Sequence, residues 1–429
     1  MTNAASMRNH RLHAALSTFA EEAAWQLAAD NADGEELAFE LREAPTSTPH
    51  AAPLYCYRPL TGTFIAEHHA TLVLLPSHLP AVHALAAVGG VDDYLRACGT
   101  DTAGTDARLY PQVALRVFLQ RAFEDASEFV LTPERFERAY RELESCLYEG
   151  RNEIRVVVPV LGMKVHSEEI DLGDGVTLVR GESVPDAPSE AVWNATTPDE
   201  ANVLAVVTLD AATGETAALT QARLRLRRLL GALRLYDGSG VTLGPVGWIK
   251  PELGGWQSAV LGFGAGRARG ICSIPRDQED ELRAFVSLVA RRTPRQGELA
   301  WALARYEMSC ERVTPFEALT DVLLALRALL EPEGPESGRL TGRLAALCAV
   351  REDRARLSER VARCIALERA VIAGVAPMDP EVDESIEELA SHLRAILRDV
   401  LCGHLDPDLR SLADDLIQET QAWDAPTLH

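Results

Sequence analysis

Lysine is almost missing from this sequence. Lys164 and Lys250 are the only two among 42 basic residues, so the other forty are arginine. The formal charge is −22 and the pI is about 5.0. A chain this acidic is not expected to coat nucleic acid with its whole surface, because the phosphates repel it. A local basic site is still compatible with the charge, and the arginine bias indicates a GC-rich genome rather than an activity.

Long apolar runs are also lacking. The longest candidates are Val156–Met163 and Val322–Leu330, which Pro159 and Arg327 interrupt. A membrane-spanning helix needs about 20 apolar residues, so the sequence predicts no transmembrane segment and no membrane partner. The first ten residues are polar, which predicts no signal peptide and a cytoplasmic location.

Spacings typical of metal and cofactor sites are missing. The eight cysteines are dispersed, without a Cys-x-x-Cys pair, which argues against a zinc ribbon or a disulfide framework. His68 and His69 are adjacent in a strand-like run, so they are expected to point to opposite faces. The glycine cluster Gly262–Gly270 fits no nucleotide-binding loop and is interpreted as a hairpin. We therefore expect no metal and no cofactor.

Residues 1–150 form the first of three predicted regions, with helices and short strands. Apolar spacing predicts a helix from about Leu12 to Leu41. Two short apolar runs follow, Leu54–Tyr57 and Phe64–Leu75, and the second has the β-branched and aromatic content of a strand. Thr132, followed by a proline, is typical of a helix N-cap.

Residues 151–290 are predicted to be mixed α/β. Short β-type runs alternate with Gly and Asp turns, and Gln221–Leu235 has the spacing of an amphipathic helix. Residues 291–429 are predicted to be all helical, because apolar residues recur there at steps of three and four. The expected fold class is α+β, with an N-terminal mixed region followed by a C-terminal all-α bundle.

Four C-terminal segments carry a resemblance to a known family. Their order is Leu-Ala-Trp-Ala-Leu-Ala-Arg-Tyr-Glu, Phe-Glu-Ala-Leu-Thr-Asp-Val-Leu-Leu-Ala-Leu-Arg-Ala-Leu-Leu, Gly-Arg-Leu-Ala-Ala-Leu and Ala-Leu-Glu-Arg-Ala-Val-Ile-Ala-Gly (299–307, 316–330, 342–347 and 366–374). This order resembles the Apea-like branch of the HEPN family. Segments Val158–Leu178 and Leu230–Gly244 are similar to what precedes the HEPN domain in such proteins, so the resemblance covers roughly residues 151–405.

The resemblance implies a metal-independent ribonuclease site at a dimer interface. In that family an Arg and a His lie four to six residues apart and act on the ribose 2′-OH and the phosphate. The match puts Arg369, after a one-residue shift, at the Arg position and Ala373 at the His position. Without that shift Glu368 occupies the Arg position, and Arg327 replaces a usual Glu. Either this copy has lost catalysis or Ala373 is an engineered replacement of a histidine.

Two further features bear on an RNA site. The segment 339–374 holds eight arginines against four acids, and Arg343, Arg360 and Arg363 are the candidate phosphate ligands. Pairing of these arginines with acidic neighbours is an equally good interpretation. Arg398 and His404 also have the family's spacing, but they lie one helix too late, and a chance match is the better interpretation.

These observations leave three hypotheses. The first is a HEPN protein of prokaryotic defence that cleaves or binds RNA, with a homodimer formed by the bundle and residues 1–290 contacting a protein partner or signal. The second is a catalytically inactive HEPN-like scaffold for dimerisation or protein binding. The third is an unrelated regulatory protein whose helices imitate the pattern.

Overall fold

The computed structural model confirms the α+β class, with a mixed N-terminal part and a C-terminal run of helices. It describes residues 8–32, 37–43, 55–102, 104–149, 153–184, 186–194, 200–210, 215–238, 240–263, 270–375 and 380–424. The glycine-rich hairpin predicted at 262–270 lies largely outside the described residues.

The N-terminal region packs helices around a core of its own. The helices are α1 (His10–Ala32), α2 (Thr61–Glu67), α3 (His69–Leu72), α4 (His78–Ala86), α5 (Val91–Ala97), α6 (Tyr110–Ala122) and α7 (Pro133–Glu149). An antiparallel ribbon joins β1 (Phe39–Glu43) to β2 (Tyr55–Pro59). Large aromatic side chains, including Tyr94, Phe118 and Tyr140, fill the core. Thr132 caps α7 as predicted, since its hydroxyl accepts the N–H of Arg135 at 3.3 Å.

Two sequence-based predictions in this region are wrong. The segment 64–75 was predicted as a strand, but it carries α2 and α3. Its buried residues Phe64, Ile65, His68 and Leu72 recur at helical spacing against the N-terminal core, and this packing outweighs their β-propensity. The first helix ends at Ala32 instead of continuing to residue 41, because β1 begins at residue 39 and pairs with β2.

The middle region is a mostly antiparallel sheet covered on both faces. Its strands are β3 (Glu153–Leu161), β4 (Met163–Val165), β5 (Glu169–Gly173), β6 (Val176–Arg180), β7 (Val203–Asp210), β8 (Thr242–Leu243), β9 (Val246–Pro251), β10 (Gln257–Val260) and β11 (Cys272–Ile274). The main order is β10-β9-β3-β7-β6-β5, while β4 pairs in parallel with β11. The helices are α8 (Ser189–Val192), α9 (Glu215–Tyr236) and α10 (Glu279–Arg292). Burial on both faces explains why β3 and β7 are almost continuously apolar.

The C-terminal region is a helical bundle. Its helices are α11 (Glu298–Glu311), α12 (Pro315–Leu330), α13 (Leu340–Cys348), α14 (Arg354–Ile372), α15 (Pro380–Cys402) and α16 (Leu409–Asp424). Helix α12 is largely buried among the others and starts with a capping box, in which Thr314 and Glu317 each accept the other's backbone N–H. None of the helices in the described part of the chain is long and apolar enough to cross a membrane.

The bundle is joined to the sheet region at the C-terminus of α9. The last carbonyls of a helix lack partners within the helix. Here the hydroxyl of Tyr306 donates to Arg234 O at 2.8 Å, and the guanidinium of Arg394 donates to Leu235 O at 3.2 Å. Arg398 donates to the next carbonyl, that of residue 236, at 3.1 Å. Three bundle side chains therefore cap one helix of the sheet region.

Candidate functional site in the bundle

The turn matched to the HEPN motif is a helix C-cap. Ala373 ends α14, and Gly374 has a φ of +73°, a left-handed conformation that glycine adopts without strain. The N–H of Gly374 donates to Val371 O at 3.0 Å, and the N–H of Val375 donates to Ala370 O at 2.9 Å. These two bonds form a Schellman motif. The glycine therefore has a sufficient structural reason to be there.

Arg369 and Ala373 lie one helical turn apart on the solvent side of α14. Both side chains are exposed. Arg369 forms no ion pair with any residue that the structure describes. The methyl group of Ala373 can neither accept nor donate a proton, so these two positions supply one cation and no general acid or base.

Glu368 and Arg327 are the two residues whose charges differ from the HEPN pattern, and they contact each other. Glu368 is only 6% exposed, and it binds the guanidinium of Arg327 on α12 through both carboxylate oxygens. The N–O distances are 2.7 Å for Nη2 to Oε2 and 3.3 Å for Nη1 to Oε1. A bidentate buried pair of this kind holds two helices in register. The acid at the motif's arginine position is thus part of the packing between α12 and α14.

Arg343, a predicted phosphate ligand, is a structural residue. It is 2% exposed, and its guanidinium makes five hydrogen bonds. Its Nε and Nη2 donate to the two carboxylate oxygens of Asp414 at 2.9 Å, both terminal nitrogens donate to Glu333 at 3.2 Å, and Nη1 donates to Leu330 O. A guanidinium has five N–H donors, so none remains for a phosphate. The prediction for this residue is corrected on that ground.

The other two predicted phosphate ligands, Arg360 and Arg363, lie on α14. Arg360 is half-buried and pairs with Glu388 of α15 at 2.5 Å. Arg363 is exposed, has no ion pair among the described residues, and lines a groove of about 330 Å³ between α14 and the start of α15. The rest of that groove is mainly apolar or small, including Ala366, Leu367 and Val382.

Much of the remaining positive charge in 339–374 is also used internally. Arg354 donates to the carbonyls at the end of α13, including Ala346 O at 3.3 Å. Arg356 pairs with Asp353 at 3.0 Å, and Arg339 lies 3.7 Å from Glu333. This favours the interpretation that the arginines neutralise acidic neighbours. It leaves Arg363 and Arg369 as the clearest candidates for contact with another molecule.

The two residues of the later pair with family-like spacing, Arg398 and His404, make unrelated contacts. Arg398 caps α9 and lies over the rings of Tyr236 and Phe285, 5.7 and 5.4 Å from their centroids. His404 is exposed beyond the end of α15, with Nδ1 3.7 Å from Asp399. Since Arg398 is held at the junction with the sheet region, the match is one of spacing alone.

Sequence reasoning missed the solvent face of α14. Exposed alanines recur along it with exposed charges between them, at positions 355, 362, 366 and 373. The steps of seven and four residues were the signal, since they place these alanines in one line along a helix. At the C-terminal end of this face, the side chains of Ile372 and Val375 are 75% and 71% exposed. An exposed face with small residues, charges and apolar ends has the composition of a helix-packing surface.

Comparison with protein-family models, with curated proteins and with solved structures finds no match to this chain. Within the described residues, no group of three or more His, Cys, Asp or Glu side chains has an arrangement that could hold a metal ion.

Proposed function

We propose that this protein is a cytoplasmic, non-catalytic HEPN-like scaffold, and that two copies associate through the solvent face of α14. The single observation that carries the proposal is the pattern of that face. Four exposed alanines would let a second helix approach closely, and between them lie charges that form no ion pair with the described residues. The HEPN part of the proposal rests on the sequence resemblance described above.

The face is self-complementary for an antiparallel second copy. A two-fold axis near position 364 sets Ala362 opposite Ala366 of the other copy, and Ala355 opposite Ala373. The same register sets Glu359 opposite Arg369, twice across the interface. Both charges are exposed and neither has an ion pair among the described residues. Closed two-fold dimers are the commonest symmetric assemblies, and they require this kind of self-matching patch.

The bundle offers no protonating group at the motif, which supports the non-catalytic form over RNA cleavage. The test is incubation of the purified protein with RNA in the presence of a chelator. We expect no cleavage. Metal-independent cleavage that disappears in Arg369→Ala, but persists in the control Arg356→Ala, would overturn the proposal. Arg356 is a suitable control because it is also exposed on α14 and pairs with Asp353.

Charge reversal tests the self-association. Glu359→Arg and Arg369→Glu each create two like-charge contacts in the proposed dimer, so each should weaken it about tenfold or more. The double variant restores opposite charges and should recover the dimer. Sedimentation equilibrium measures the dissociation constant, with exposed Arg228→Glu on α9 as a control for net charge. A wild-type protein that stays monomeric at every concentration across a 100-fold range would contradict the dimer.

A further inference from the structure

A second cavity lies where the bundle meets the sheet region. Its volume is about 220 Å³, and its walls come from α9, α11, α15 and the turn after α9. Polar groups that line it include Arg234, Tyr306, Ser309, Ser391 and Arg394. No residue of the HEPN-like motif or of the solvent face of α14 lines this cavity.

Arg234 places a buried positive charge at the cavity, and the acceptor groups around it neutralise that charge only weakly. Its side chain is 2% exposed, and its Nε donates to Val241 O at 3.1 Å. Its Nη1 reaches Glu307 O and Glu311 Oε1 at 3.4 Å each, which is long for a charge-assisted bond. Burying a guanidinium is costly unless a counter-charge lies close by. The side chain of Glu311 is also 43% exposed, so water screens part of its charge.

Arg394 brings a second guanidinium to the same cavity. Its Nη1 caps Leu235 O, but its buried Nε has no hydrogen-bond partner among the described residues. Unpaired buried donors are rare in folded proteins and point to a missing partner. Gly238 lies beside this guanidinium, and the point where a Cβ would stand is 3.5 Å from Nε.

Three acidic groups lie near the two arginines, namely Glu307, Glu311 and Glu387, and the last two are at least partly exposed to solvent. Glu387 lines the cavity but is exposed, so solvent screens it. Burial raises the pKa of the neighbouring Glu307, although Arg234 and Arg227 oppose this change. Solvent screening of Glu311 and Glu387 means that their charges offset those of Arg234 and Arg394 only in part.

We propose that this cavity binds a small anionic group, a phosphate or a carboxylate, between Arg234 and Arg394. Ser391 of α15 also lines the cavity and can offer a hydroxyl to one of the remaining oxygens, whereas the hydroxyl of Ser309 already donates to Tyr306 O at 2.7 Å. A bound anion would contact α9 of the sheet region and α11 and α15 of the bundle together. It would thus strengthen the joint between the two regions. This inference is independent of the proposed scaffold function.

Thermal unfolding and isothermal titration test the site. Inorganic phosphate and acetate are the two probes, each compared with chloride at the same ionic strength. At about ten times its Kd, a probe that binds the folded state should raise Tm by about 1–2 °C. A shift with phosphate alone identifies a phosphoryl site, and a shift with acetate alone identifies a carboxylate site.

Arg394→Gln is the diagnostic variant and Arg398→Gln is its matched control. Both arginines lie on α15 and cap successive carbonyls of α9, but only Arg394 lines the cavity. Each variant loses one cap on α9, so a difference in Kd between the two variants reports on the cavity and not on the lost cap. We expect Arg394→Gln to raise Kd for the binding probe by about tenfold or more, because charge-assisted bonds are lost, and Arg398→Gln to leave it unchanged. No binding by either probe, or equal binding in both variants, overturns the proposal.

Discussion

At the scale of single residues, this protein uses arginine as an internal connector. Arg343 is saturated by two carboxylates and a carbonyl, while Arg327 is held by both oxygens of Glu368. A planar guanidinium can satisfy several acceptors at once, which a lysine ammonium cannot do in the same geometry. In an acidic chain, such arginines neutralise carboxylates that converge from different helices.

The pair between Arg327 and Glu368 should be important for stability. Glu368→Ala leaves a buried guanidinium without its counter-charge, so the free energy of unfolding should fall by about 3–5 kcal/mol. Urea denaturation measures this change. Exposed Glu419→Ala on α16 is the control and should change stability by less than about 0.5 kcal/mol. Equal effects for the two variants would show that the pair is not desolvated.

Arg343→Lys should also be costly, although the charge is kept. An ammonium has three donors for the five hydrogen bonds that the guanidinium makes, so at least two acceptors lose their partner. We expect a loss of about 1–3 kcal/mol in the free energy of unfolding. The same change at exposed Arg356 should have little effect. If Arg343→Lys were as mild as Arg356→Lys, Arg343 would again be a candidate phosphate ligand.

At the scale of secondary-structure elements, helix ends explain several of the motifs. The capping box of α12 and the Schellman turn of α14 are local structures whose residues follow from hydrogen bonding alone. The Ala373-Gly374 turn gave part of the resemblance to HEPN, and it is also what a helix C-terminus requires. The identity of residue 373, rather than the glycine after it, therefore carries the information about catalysis.

Two glycines of the bundle should respond in opposite directions to alanine. Gly374→Ala forces a Cβ into a positive φ and should destabilise by about 1–2 kcal/mol. Gly342 lies within α13, where a Cβ would meet Ile417 Cδ1 at an ordinary 3.9 Å. Gly342→Ala should therefore stabilise the protein by about 0.5–1 kcal/mol. Thermal unfolding of both variants checks the signs, and a stabilised Gly374→Ala would contradict the cap.

At the scale of the whole molecule, separate hydrophobic cores are joined by specific polar contacts. One core lies among α1–α7, one on each face of the sheet and one within the bundle. Helix α10 contributes to two of them, through Leu282 to the sheet core and through Phe285 to the bundle core. The capped end of α9 lies at the same joint, so the sheet region and the bundle should move as one unit.

Acidification below neutral pH should weaken this assembly. Burial lowers the pKa of His69, His78 and His392 below the usual 6.5, with nearby positive charges adding to the effect and Glu388 opposing it at His392. As the pH falls below 6.5, the unfolded chain therefore binds protons before the folded chain does, and stability decreases. The lowered pKa values of Asp186 and Asp414 act below about pH 5, and the raised pKa of Glu307 opposes the histidine effect because the folded state binds that proton first.

Urea denaturation between pH 8 and pH 5 measures this effect. The free energy of unfolding should be flat above about pH 7.5 and fall below pH 6.5. His78→Phe should reduce the slope, because the ring of His78 is 3% exposed, packs against Phe19 and has an Nδ1 without a hydrogen-bond partner in the described part of the chain. Stability that stayed level from pH 7 to pH 5 would contradict the prediction.

Short-range patterns accounted for the order and type of most elements. The bundle helices, the N-caps at Thr132 and Thr314 and the α+β class follow from apolar spacing and from hydrogen bonds between residues three or four apart. The segment 64–75 and the end of the first helix are exceptions, and the first of these shows the cause most clearly. Its β-branched and aromatic residues resembled a strand until packing against the N-terminal core selected a helix.

The roles of the arginines depended on the tertiary structure. In the sequence, Arg343 and Arg363 are indistinguishable members of one basic segment. Folding brings Asp414 to Arg343 from 71 residues away, and Glu368 to Arg327 from 41 residues away, while Arg363 stays exposed. Helix periodicity is fixed by neighbours along the chain, whereas a charge is neutralised by whatever the fold brings near it. For that reason local patterns predicted the helices, and long-range contacts decided which cations remain free to bind another molecule.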